Sequence, residues 1–275
     1  TGDAMDISKN FTEINQRGLV LIGCGRMGGA MLTGWLANGI DPAAVTVIDP
    51  NARPDWADKG VRLNAAPPES PAVLVLAVKP QMMGGVLDQL SVGPDTLVLS
   101  VAAGVTLDAY GRAFPAAPVV RAMPNTPAAI GRGITALIGN DLAGPAQMDL
   151  ADSLMAVVGE VVRLDGEAQM DAVTALSGSG PAYVFHMIEA LTAAGITQGL
   201  PADLSLQLAR ATVAGAGALA MADDTPPAAL REAVTSPNGT TAAGLVVLMD
   251  ADTGLPPLIA RTVTAAAERS RELGK

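Results

Sequence analysis

Two short stretches carry residue types that can do chemistry. Late in the chain, Thr235-Ser236-Pro237-Asn238-Gly239-Thr240-Thr241 sets a turn-forming Pro-Asn-Gly before two hydroxyl residues. An apolar helical pattern follows from Ala242 to Met249. Such a junction aims free backbone N–H groups and hydroxyls at one spot, with a helix dipole behind them, and that favours a small anion. Early in the chain, Gly23-Cys24-Gly25-Arg26-Met27-Gly28 follows an apolar run and opens a helical pattern. This is the G-x-G-x-x-G loop in the context it needs. The first glycine makes the tight turn, the second lets the backbone approach a pyrophosphate, and the third lets helix and sheet pack closely. Together they suggest a redox dinucleotide at one end and a small acid at the other. The bland alternatives are a glycine-rich turn that binds nothing and an ordinary helix start.

Further candidates surround the glycine loop. Asp49 ends the second apolar run, about twenty residues past Gly28, where an acid bonds a ribose 2′-OH and repels a 2′-phosphate. It argues for NADH, with Arg53 as a partial offset; alternatively it only starts the turn Asp49-Pro50-Asn51. Three loops fall at the carboxyl ends of later runs, where open α/β sheets hold ligands: Ala77-Val78-Lys79-Pro80, Ala102-Ala103-Gly104 and Met123-Pro124-Asn125-Thr126-Pro127. Lys79 either meets a phosphate or the substrate, or is a solvated charge. Asn125 and Thr126 either bond the nicotinamide and its ribose or brace their turn. Cys24 fits as a small residue where space is short. His186 reads as a packed or surface histidine rather than an acid.

The elements that must position these residues alternate. Leu19–Ile22, Val45–Ile48, Val73–Val78 and Leu97–Val101 read as strands, two of them near-continuous apolar runs of the kind that a parallel sheet buries on both faces. Met27–Ala37, Gln81–Leu90, Leu107–Phe114 and Ala146–Val158 have helical spacing, and Val119–Ala122, Ile134–Ile138 and Val161–Leu164 extend the sheet. This is a doubly wound α/β domain. After about Asp165 the strand signals stop. Pro181–Ala194, Pro201–Met221, Pro226–Val234, Thr241–Met249 and Pro256–Leu273 read as helices, most with proline at the start. Ala211–Ala222 is almost all small, which suits either a crowded crossing or close packing against another subunit. The expected division is a flexible segment at 1–18, a dinucleotide-binding domain at 19–165 and a helical domain at 166–275.

Composition narrows the function classes. The chain has 275 residues, 49% apolar and 16% charged, with a formal charge of −10 and no basic run, so nucleic acid is not an expected partner. One cysteine and one histidine exclude a disulfide framework within the chain and the multi-cysteine and two-histidine metal motifs; no metal is expected. No stretch approaches the roughly 18 uninterrupted apolar residues that span a bilayer. Thr1–Gly18 is polar, lacks a secretory core and starts with Thr, which reads as partly a vector remnant. The expectation is a soluble, cytoplasmic protein.

Six motifs occur in order: Gly23–Gly28 with Gly29-Ala30-Met31-Leu32, Ala77-Val78-Lys79-Pro80, Val101-Ala102-Ala103-Gly104-Val105-Thr106, Arg121-Ala122-Met123-Pro124-Asn125-Thr126-Pro127, Leu176-Ser177-Gly178-Ser179-Gly180-Pro181-Ala182-Tyr183, and Val234–Thr241. The set resembles pyrroline-5-carboxylate reductase, from about Leu19 to Leu273. The resemblance implies reduction of 1-pyrroline-5-carboxylate to L-proline by NAD(P)H, a Rossmann domain, and a helical domain that interlocks in a homodimer, often within a ring of dimers. It implies that the loop Ser236–Thr241, with Ser236 and Asn238 among its substrate-binding residues, anchors the substrate carboxylate, that Gly239, Thr240 and Thr241 hold it through backbone N–H groups, and that the Thr241 hydroxyl is the catalytic group, near the ring nitrogen to orient it or relay a proton. It adds Glu167 as a looser match to an acidic substrate-associated position. The family often has glycine at Asn238, and often a non-acidic residue at Asp49 with a preference for NADPH. The rivals are another imine reductase, a hydroxyacid dehydrogenase, for which a lysine is missing from Ser177–Ala194, and a dinucleotide-binding protein without turnover.

Overall fold

In the computed structural model, residues 11–274 are described. They fall into two compact units, residues 11–178 with 267–274, and residues 179–266.

The first unit is built on one eight-stranded sheet. Its strands are β1 (Leu19–Ile22), β2 (Val45–Ile48), β3 (Arg62–Leu63), β4 (Val73–Leu76), β5 (Leu97–Ser100), β6 (Val119–Met123), β7 (Gly133–Gly139) and β8 (Gly159–Arg163), in the spatial order β3-β2-β1-β4-β5-β6-β7-β8. All neighbours run parallel except β6 and β7. The order reverses beside β1, so β1 and β4 flank the switch point where ligands bind in such sheets.

The helices of this unit are α1 (Thr12–Arg17), α2 (Arg26–Ala37), α3 (Asp55–Asp58), α4 (Pro80–Leu87), α5 (Leu107–Ala113), α6 (Pro145–Ala156) and α7 (Met170–Val173). Successive strand side chains point to opposite faces. Leu19, Leu21, Val73, Val75, Leu97 and Leu99 therefore enter one core with Trp35 and Leu154, while Val20, Ile22, Leu74, Leu76 and Val98 enter another with Tyr110 and Phe114. Each face needs its own apolar set, which is why these strands show no polar alternation. Each fully buried side chain of this size contributes about 1.5–3 kcal/mol. The Trp35 indole N–H donates to the Leu154 carbonyl at 2.8 Å, and a Cβ on Gly34 would lie 2.7 Å from Val157, so α2 and α6 meet closely.

Four short elements escape a periodicity reading: α1, α3, α7 and β3, which are too short to show a period. Of the segment expected to be flexible, residues 1–10 lie outside the described residues. Residues 11–18 instead carry α1, and Phe11 and Ile14 are fully buried.

The second unit holds α8 (Gly180–Thr197), α9 (Ala202–Ala220), α10 (Pro227–Ala233), α11 (Thr240–Leu248) and the start of α12 (Leu255–Leu273); the end of α12 belongs to the first unit. Gly195 of α8 packs against Ser205 of α9, where a Cβ would lie 2.8 Å from the hydroxyl. The small-residue run Ala211–Ala222 is largely exposed, so no crowded crossing forms there within the chain. Large apolar side chains lie open on the same unit, among them Phe185, Leu208, Met221 and Val246, the last 76% exposed.

Candidate active site

The glycine loop joins β1 to α2. Gly23 has φ +89°, and a Cβ there would lie 2.7 Å from the Ala77 carbonyl oxygen of the loop after β4. A Cβ on Gly28 would lie 2.4 Å from the Gly23 carbonyl oxygen, whereas one on Gly25 would meet nothing within 4 Å. The first and third glycines are thus required by contact, and the second leaves the backbone open to a ligand. No side chain caps α2, so the N–H groups of Arg26, Met27 and Gly28 at its start remain available for phosphate. These residues fit a dinucleotide. Beside them lies a cleft of about 380 Å³ lined by Cys24, Gly25, Arg26, Arg53 and Trp56.

Asp49 leaves the end of β2. Its Oδ2 accepts the Cys24 N–H at 2.7 Å, and its Oδ1 accepts the Asn51 N–H at 2.8 Å. The acid therefore starts its turn and also holds the glycine loop. The Arg53 guanidinium stands 5.0 Å from the Trp56 ring centroid and 3.4 Å from Asp55. Burial, and then Asp49, push the Cys24 thiol up to about 11, so at neutral pH it is a thiol rather than a nucleophilic thiolate.

The other loops line up beside this one. Ala77 and Val78 are half-buried, while Lys79 and Pro80 are exposed at the start of α4. Ala102 is buried, and its N–H reaches the Ser100 hydroxyl at 3.3 Å, which itself bonds the Tyr110 hydroxyl at 2.5 Å. Burial holds that phenol up at about 12. Ala103 and Gly104 complete the loop, Gly104 at φ +76°. The Asn125 carboxamide accepts the Ile134 N–H at 3.0 Å and donates to the Ser177 hydroxyl at 3.3 Å. It braces its turn against the π-helical turn Thr174–Gly178.

Glu167 is engaged inside the first unit. Its Oε1 accepts the Leu107 N–H at 2.6 Å and pairs with the Arg121 guanidinium. The Arg121 side chain is 8% exposed and that of Glu167 31%. Arg121 stands in one motif and Glu167 is a candidate of its own, but nothing in the sequence pairs the two. Asn64 was missed altogether. It bonds both backbone polar groups of Asp49, accepting its N–H at 3.0 Å and donating to its carbonyl at 3.1 Å. The sequence shows only an asparagine, a residue that tolerates the φ of +49° found here.

In the second unit, Asn238 has φ +60°, and the Gly239 N–H closes the turn onto the Ser236 carbonyl at 3.1 Å. Gly239 is the extended residue that begins α11, with no side-chain cap, and a Cβ there would lie 2.3 Å from the Ser236 hydroxyl oxygen. Ser236, Asn238, Thr240 and Thr241 are exposed. The loop shape read from Pro-Asn-Gly is present with asparagine in the left-handed region. His186 is exposed, its Nδ1 2.9 Å from Glu189 Oε2. Among the described residues no group of acids, cysteine and histidine is arranged to hold a metal, and no helix is long and apolar enough to cross a membrane.

The parallel sheet, switch point and glycine loop define a dinucleotide-binding oxidoreductase. Residues 18–104 match the family model of NADP oxidoreductases described as coenzyme F420-dependent, and residues 167–273 match that of pyrroline-5-carboxylate reductase dimerisation. The chain is 42% identical to a pyrroline-5-carboxylate reductase of Synechocystis over 94% of its own length and 98% of the relative's. It is 38% identical to one of Pseudomonas aeruginosa, covering 94% and 97%. Among solved structures, a pyrroline-5-carboxylate reductase from Coxiella burnetii superimposes with a TM-score of 0.82 at 34% identity, covering 94% and 99%. A pyrroline carboxylate reductase of Plasmodium falciparum with NADP bound superimposes with a TM-score of 0.80 at 27% identity, covering 95% and 99%. The chain belongs to the pyrroline-5-carboxylate reductase family.

Proposed function

We propose that the chain reduces 1-pyrroline-5-carboxylate to L-proline with NAD(P)H, the last step of proline biosynthesis. One observation carries the assignment of substrate. The start of α11 is uncapped and shaped by Asn238 and Gly239, which suits a carboxylate, and the cofactor phosphates already have the glycine loop. Membership of the family supports the same reading.

The bound cofactor supplies a hydride. The cyclic imine takes that hydride at the carbon next to nitrogen and a proton at the nitrogen, giving the ring amine and oxidised cofactor. A protonated imine is electrophilic enough to need little acid catalysis, so the protein's task is positioning. In this reading the N–H groups of Gly239, Thr240 and Thr241 hold the carboxylate, and the Thr241 hydroxyl orients the ring nitrogen. The loops at Ala77–Pro80, Ala102–Gly104 and Asn125 border the cofactor, and Lys79 offers it a charge. Glu167 serves as an anchor for the chain entering α7. Residues 19–165 act as the cofactor domain and 166–275 as the substrate and dimerisation domain. The exposed apolar side chains of α8, α9 and α11 fit a homodimer, and a ring of dimers would use a second face besides this one. An enzyme using NAD(P)H with a lone cysteine suits the reducing cytoplasm.

The test is loss of absorbance at 340 nm with pyrroline-5-carboxylate and either cofactor, with L-proline assayed as product. Thr241→Ala should cut kcat/KM for the imine at least about tenfold, the worth of a polar contact made in the transition state, and leave cofactor Kd unchanged. A fall in cofactor affinity alone would contradict the placement of the substrate.

A further inference from the structure

We propose that Asp49 and Asn64 act as one unit that selects NADH over NADPH, with Asp49 touching the adenosine ribose and Asn64 positioning it; this rests on the dinucleotide reading above. The strand β3 pairs with β2 only through Thr46–Arg62 and Val47–Leu63. Beyond that register the backbone of Asp49 has no strand partner on that side. Asn64 replaces it: its own N–H donates to the Val47 carbonyl at 2.8 Å, and its carboxamide then takes both the N–H and the carbonyl of Asp49. A side chain thereby extends the ladder by one residue. Only a residue at ease with φ +49° and carrying both a donor and an acceptor does this, which asparagine satisfies.

Held so, the Asp49 carboxylate has little freedom. Each of its oxygens accepts one backbone N–H, from Cys24 and from Asn51, and each keeps a further lone pair. Two acceptors beside the glycine loop suit the two hydroxyls of a ribose. A 2′-phosphate there would face a carboxylate that cannot swing away without releasing Cys24 N–H, Asn51 N–H or both. The cation that could offset this is Arg53, and its guanidinium is already over Trp56 and beside Asp55. Arg26 and Arg53 both line the neighbouring cleft, while Asp49 is the charged group bonded to the glycine loop itself.

The test uses the whole protein without imine, titrated calorimetrically with NADH and with NADPH, alongside kcat and KM at 340 nm. Wild type is expected to bind NADH at least about tenfold more tightly than NADPH, the effect of one charge-assisted hydrogen bond kept or lost. Asp49→Ser should abolish that ratio. Asn64→Gly keeps the positive φ and deletes both side-chain bonds. It should raise Kd for NADH about three- to tenfold, leave that for NADPH unchanged or lower, and change kcat at saturating NADH by less than about twofold. Asn64→Asp keeps the acceptor for the Asp49 N–H and adds a negative charge, so it should retain a preference for NADH even if the glycine variant folds poorly. The double variant Asp49→Ser/Asn64→Gly should bind NADH no worse than Asp49→Ser alone. A wild type that prefers NADPH, equal losses for both cofactors in the Asn64 variants, or additive losses in the double variant would each overturn the proposal. Failure of the substrate assignment would look different: the Kd pattern would persist with no turnover of pyrroline-5-carboxylate.

Discussion

Replacing Glu167 by Gln separates an anchor from a substrate ligand. The variant keeps an acceptor for the Leu107 N–H but leaves the Arg121 guanidinium, 8% exposed, without its anion. Breaking a fully buried ion pair by removing one partner costs about 3–5 kcal/mol. Glu167 is 31% exposed, so water screens the pair on one side and the expected cost falls to about 2–3 kcal/mol. At about 2–4 °C per kcal/mol for a chain of this size, Tm should drop by about 5–10 °C. Differential scanning calorimetry measures that shift, and steady-state kinetics with varied imine measures KM. The anchor role predicts the drop in Tm with KM for pyrroline-5-carboxylate within about threefold of wild type. Adding Arg121→Met should recover part of the loss, because the stranded charge is then gone. An unchanged Tm with KM raised tenfold or more would refute the reasoning and return Glu167 to the substrate.

Two further outcomes follow from the glycine loop. Gly28→Ala places a methyl where only 2.4 Å separates it from the Gly23 carbonyl oxygen, so the turn must open. The expected cost is about 1–3 kcal/mol of stability and more than tenfold in NADH affinity by calorimetry; wild-type affinity would show that the loop does not hold the cofactor. Cys24 has its folded pKa raised to about 11 from an ordinary 9.0, so the protonated thiol stabilises the fold fully below about pH 9, and that contribution is lost as pH rises toward 11. Alkylation by iodoacetamide should therefore reach half its maximal rate near pH 11, and bound NADH should slow it. A midpoint at or below pH 9 would contradict the buried, acid-flanked environment.

Much of the first unit was legible because its strands face two cores. Val73–Leu76 and Leu97–Ser100 must be apolar at every position, and that leaves an unmistakable run. Helices α2, α6, α8 and α9 were legible from their length and start signals. What escaped was short or held by single side chains. β3 has two residues and α3 four, too few for any period. The glycine loop and the Pro-Asn-Gly turn showed because glycine answers a local steric demand. The pairings Arg121–Glu167 and Asp49–Asn64 join residues 46 and 15 positions apart through tertiary register, which no local pattern encodes. The small-residue helix α9 was ambiguous for the opposite reason: its sequence suits burial, yet within this chain residues 211–222 are largely exposed.

In the proposed reaction a hydride passes from the nicotinamide to the imine carbon of pyrroline-5-carboxylate. Reduction with NADH deuterated at C4, on the transferred face, tests it directly by mass spectrometry and NMR of the product. The expected product is L-proline with one deuterium on the ring carbon next to nitrogen and remote from the carboxylate. Proline without deuterium when both C4-labelled stereoisomers have been tried, or no proline at all with either cofactor, would contradict it.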